Sequence, residues 1–73
     1  MSHAEWMDVH RAAIKRWVDA SGWLHDFYEK GGPMTLERFN ELLAEDHAAE
    51  AEYRAVTDGN PEVCAAVWKR LRS

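Results

Sequence analysis

Apolar residues recur along this chain at three- and four-residue intervals, and no stretch alternates in the two-residue rhythm of a strand. Trp6, Val9, His10, Ala13, Ile14, Trp17, Ala20, Leu24, Phe27 and Tyr28 fall on one broad face when successive residues are turned by 100°. Asp8, Arg11, Lys15, Asp19, Asp26 and Glu29 fall on the other. The register runs on through Ser21-Gly22, where Gly22 sits on the polar face. One helix over about residues 3–30 is expected, with a kink or break near Ala20-Gly22 as the alternative. Ser2 followed by Glu5 is a capping box that fixes its start.

Two turn signals divide the chain, Gly31-Gly32-Pro33 and Asp58-Gly59-Asn60-Pro61. Between them, Leu36, Phe39, Leu42, Leu43, Ala49, Tyr53 and Val56 predict a second helix over about 35–57, with Thr35 as its N-cap and Gly59 able to close its end. Val63, Cys64, Val67, Trp68 and Leu71 predict a third over about 61–71, with Asn60 as cap and Pro61 in the first helical position. The expected fold is all-α, a single domain over residues 1–73. The first two helices form an antiparallel hairpin, and the third folds across its open end. It should cover the N-terminal half of helix one and the C-terminal half of helix two.

Length sharpens this picture. A helix over 3–30 is about 42 Å long, and the third only about 18 Å. A compact globule of 73 residues has a radius of gyration near 11 Å. The hairpin is therefore too long for its third helix to cover, and part of the apolar stripe is expected to stay bare. Trp23 adds to the exposed apolar surface, because it points about 100° from the stripe centre. Met7 and Trp68 stand at stripe edges. Trp6 and Trp17 read as core, whereas Trp23 and Trp68 are candidates for a protein contact, since tryptophan is enriched at binding hot spots.

Charge singles out a second pair. Asp46 and Glu50 lie four residues apart on the apolar face, between Leu43 and Tyr53. Like charges at that spacing repel and need partners if buried. Internal partners are available: Arg54 for Glu50, and the Trp17 indole or the Ser21 hydroxyl for Asp46. A partner protein's cation is the functional alternative. The formal net charge is −4. Residues 31–60 carry seven acids against two bases, and residues 61–73 carry one acid against three bases. The short basic tail does not supply the broad basic face that grips nucleic acid, so direct nucleic-acid binding is not expected.

No other chemistry is signalled. None of His3, His10, His25 and His47 pairs at the three- or four-residue spacing of a helical zinc site. Phosphate loops and nucleophile elbows are lacking, so no catalytic residue, metal or cofactor is expected. Cys64, the single cysteine, reads as a small buried hydrophobe and a reduced thiol. With neither a leader nor an apolar run long enough for a bilayer, a cytoplasmic protein without membrane contact is expected.

These features point to a small non-enzymatic interaction module that binds and modulates, or inhibits, a larger protein. Homodimerisation through its tryptophan-bearing faces is expected as well. Acidic helical chains of this size often serve as adaptors or inhibitors, including ones carried by phages or plasmids. The expected partner contacts are Trp23, Trp68, Asp46, Glu50 and Met7. An alternative comes from Val67-Trp68-Lys69 near the C-terminus and the Asp46-His47 pair. Together they resemble the Hha/YmoA family of small bacterial expression modulators. The resemblance is confined to these two short stretches. It implies a transcription modulator acting through a DNA-binding partner, with Asp46 as the acidic residue that meets it.

Overall fold

The computed structural model covers residues 1–73 and consists of three α-helices: α1 (His3–Lys30), α2 (Leu36–Thr57) and α3 (Pro61–Arg72). α1 is unbroken through Gly22, which removes the kink alternative. A β-carbon added at Gly22 would meet nothing within 4 Å.

Each helix end is closed by its own sequence. The Ser2 hydroxyl accepts from the Glu5 amide, and the Glu5 carboxylate accepts from the Ser2 amide, both at 3.1 Å. Thr35 and Asn60 cap α2 and α3 through their side-chain oxygens. At the end of α2 the Asn60 amide donates to the Ala55 carbonyl and the Gly59 amide to the Val56 carbonyl. This paired return requires a left-handed residue, supplied by Gly59 at φ 78°.

The core lies at one end of the hairpin, beneath α3. Val9 and Ala13 from α1, Val56 from α2, and Cys64 and Val67 from α3 are buried together. Trp6, Tyr53 and Trp68 pack around them. The Val56 carbonyl, deep in this cluster, accepts from the Trp6 indole at 3.3 Å and lies 4.0 Å from the Cys64 thiol. Glu52 ties all three helices at the rim of the core. Its Oε1 accepts from Arg70 of α3 at 2.7 Å. Its Oε2 lies 3.0 Å from the Arg16 guanidinium of α1, a charge contact without hydrogen-bond alignment.

α3 thus covers the ends expected of it, and no more. Its N-terminus sits beside Met1, Ser2 and Trp6, and its last turn reaches only Ala12, Lys15 and Glu52. Its C-terminus therefore points toward the uncovered part of the hairpin. No residue from 14 to 48 is buried. The radius of gyration is 14.4 Å and the extents are 45 × 24 × 19 Å, against about 11 Å for a compact chain of this length. Two stripe residues stay bare for the same reason. Tyr28 and Leu36 are each 75% exposed, because nothing covers the distal end and the turn leaves them flanking the hairpin seam.

Two expectations follow. Gly22→Ala should stabilise the chain by about 1 kcal/mol, because it adds helix propensity without a clash. That is a rise of about 4–8 °C in melting temperature for a domain of this size, read by circular dichroism; no rise would mean that α1 bends at Gly22. The second concerns acid. Hydrogen bonds from the Ser2 amide and hydroxyl hold the Glu5 carboxyl below its usual range. Its folded value is lower than its unfolded one, so the cap's contribution is full above the ordinary carboxylate range. It is lost as pH falls through the lowered value. The melting-temperature gap between wild type and Glu5→Gln should therefore shrink in acid; a gap independent of pH would contradict this.

Candidate protein-contact faces

The hairpin register is fixed by contacts across it. Asp46 faces Trp17 and Ser21, and Phe39 faces Trp23 and Phe27. Tyr28 of α1 and Leu36 of α2 then stand at the same level near the turn. Each helix has one flank toward α3 and one away from it. Arg16 and Glu52 mark the near flanks, and Trp17, Ser21 and Asp46 the far ones.

Turning 100° per residue from these markers assigns the rest. On the far face, Leu24 and Tyr28 continue the line of Trp17, and Leu43 and Leu36 continue the line of Glu50 at the outer edge of α2. On the near face, Trp23 continues the wall of the groove that α3 occupies, Phe27 and Leu42 lie on its floor, and Glu45 and Arg38 stand on the α2 side.

Asp46 has two partners within the chain. Its Oδ1 accepts from the Ser21 hydroxyl at 2.8 Å and from the Trp17 indole at 3.2 Å, as the internal alternative required. Trp17 stacks on Tyr53 at 5.1 Å between ring centres, and His10 sits between Trp6 and Tyr53. The His10 ring meets the Thr57 hydroxyl at 3.2 Å. Glu50 accepts from Arg54 at 2.6 Å, and this pair stands at the edge of the far face. The acidic pair is thereby resolved: one carboxylate locks the hairpin and the other pairs locally.

Trp23 requires a correction. It does not point away from the fold but is half-buried, with its ring edge-on to Phe39 at 5.4 Å. The most buried line of α1 runs through Val9 and Phe27, and Trp23 lies only about 40° from it. The broad stripe had placed the centre too far toward Trp6 and Leu24. The Trp23 indole N–H is shielded from solvent and has no acceptor.

Trp68 is also half-buried. It packs on the core from α3, with the Arg72 guanidinium 5.6 Å over its ring. It borders two shallow clefts that follow one another along the side of α3 facing α1, one lined by Arg11, Lys15 and Leu71 and the other by Met1, Trp6 and Pro61. Met7 is 39% exposed and joins none of the others. The five sequence-predicted contact residues therefore do not form one site. Trp23 and Trp68 belong to the near side, and Asp46 and Glu50 to the far side.

Sequence reasoning passed over Glu52. A signal was present: no base stands three or four residues from it, yet it neighbours core positions Ala49 and Val56. A carboxylate so placed needs partners from other helices. No three His, Cys, Asp or Glu side chains converge as a metal-ligand set. No helix is long and apolar enough to cross a membrane. No protein-family model, no curated protein and no solved structure matches the chain.

The Asp46 contacts generate a stability prediction. Asp46→Ala strands the Trp17 indole N–H and the Ser21 hydroxyl and should cost about 1–3 kcal/mol in urea unfolding. Asp46→Asn keeps an acceptor oxygen and should cost less. Equal losses would show that charge, not hydrogen bonding, sets the contribution.

Proposed function

We propose that this chain is a non-enzymatic interaction module that binds and modulates a larger protein through the far face of its hairpin. The observation that carries the reading is the bare apolar patch near the turn. Tyr28 and Leu36 are each 75% exposed at one level of the hairpin, and Leu24 and Leu43 are only half-buried beside them. A single exposed apolar side chain is ordinary, but several on one side of a small protein favour a contact surface. Charge is sparse there. The His25–Glu29 and Arg54–Glu50 pairs lie at its margins, at 2.8 and 2.6 Å. An apolar centre with a polar rim is the composition of a protein interface.

The pattern that resembles the Hha/YmoA ending has internal uses in this fold. Val67 is core, Trp68 packs on it, and Asp46 is occupied by Trp17 and Ser21. These residues support the stability of the hairpin more directly than a contact with a DNA-binding partner.

The immobilised chain should retain a larger protein from a lysate of its own source cells. The double variant Tyr28→Ala, Leu36→Ala should weaken that retention at least about tenfold, the loss typical of a hot spot. Exposed positions of this kind change stability by only about 0.5 kcal/mol each, so melting should be nearly unchanged. Equal retention by wild type and variant would refute the far face as the contact.

A further inference from the structure

We infer that the near face, where α3 stops short, is occupied by a second copy of this chain, packed antiparallel across a two-fold axis. The inference concerns the flank opposite to the proposed partner face and stands independently of it.

The first support is shape. α3 forms a step about 18 Å long on a body 45 Å long. Beyond the step the groove has Phe27 and Leu42 on its floor and Trp23 on its α1 side, with Arg38 and Glu45 along its α2 side. A second hairpin laid antiparallel on this stretch fills it, and each α3 then flanks one end of a central four-helix layer. The arrangement closes on itself, because both copies use the same patch.

Area is the second support. A compact monomer of 8.4 kDa exposes about 4,600 Å², whereas this chain exposes 5376 Å². The excess of about 780 Å² is shared between the two open flanks, and it is of the order of the roughly 800 Å² that each partner contributes to a standard interface.

Charge supplies the third and sets the direction. On its near side the turn end carries Asp26, Glu37 and Glu41 against Lys30 and Arg38. The last turn of α3 carries Lys69, Arg70 and Arg72 with no acid. In the antiparallel pair, the acidic turn of one copy reaches the level of Arg16 and the basic α3 end of the other, twice by symmetry. A parallel pair would set like charges together, which is disfavoured.

The test is a charge swap read by sedimentation equilibrium, with far-UV circular dichroism confirming that every variant is helical. The altered positions are exposed. Wild type should sediment at twice the 8.4 kDa chain mass. Asp26→Lys with Glu37→Lys, and separately Lys69→Glu with Arg72→Glu, should each weaken self-association at least about tenfold, because like charges then meet at both contacts. An equimolar mixture of the two should restore a dimer, since both contacts are again opposite in sign. Tyr28→Ala, Leu36→Ala should remain dimeric, which separates failure of this inference from failure of the partner reading. A wild type that stays monomeric at hundreds of micromolar overturns the inference. So does a dimer indifferent to both charge variants, or a mixture that fails to recover.

Discussion

The structure follows from a mismatch of lengths. α1 has 28 residues and α3 has 12, and a helix cannot bury a face longer than the elements laid against it. With 73 residues there is enough chain to finish a three-helix core at one end only. Hydrophobic burial is therefore concentrated where α3 lies, and the rest of the hairpin is a two-helix extension. A two-helix layer leaves each helix with both flanks open, which is why no residue from 14 to 48 is fully shielded.

The distal extension stays attached through a few specific interactions instead of a core. Asp46 draws Trp17 and Ser21 of α1 onto α2, and Phe39 receives Trp23 and Phe27 further out. At the other end, the Val56 carbonyl and the Glu52 carboxylate each gather side chains from both other helices. These anchors set the hairpin register and orient α3. The two distal flanks then differ in chemistry by necessity. One inherits the groove in which α3 sits, and the other inherits the seam of Trp17 and Asp46. That division makes two separate contacts conceivable on one small chain.

Most of this fold was legible in the sequence because its signals are local. Ser2-Glu5, Thr35, Asn60-Pro61 and Gly59 each specify a helix end through near neighbours, and a 3.6-residue period needs no knowledge of tertiary contacts. The Asp46 bridge was also within reach, since an antiparallel hairpin brings Ser21 and Trp17 opposite it. What the sequence could not fix was the centre of a broad stripe. Ten stripe positions on α1 leave its buried line uncertain by tens of degrees, enough to misplace Trp23. Glu52 was missed because its partners, Arg16 and Arg70, come from other helices. The bare end of the hairpin was legible from helix lengths, but its two flanks carry no motif and could be told apart only once the position of α3 was known.

Hydrogen exchange resolved by residue tests the central claim most directly, because it reads local opening along the hairpin. Amides of α1 around Val9 and Ala13, and of α2 around Val56, should exchange only by global unfolding. Those around Trp23 and Leu42 should open at lower free energy in dilute protein, and their protection should rise with concentration as the bare face is covered. Uniform protection along α1 at every concentration would contradict the account, since it would mean that the distal hairpin is as firmly held as the core without any partner.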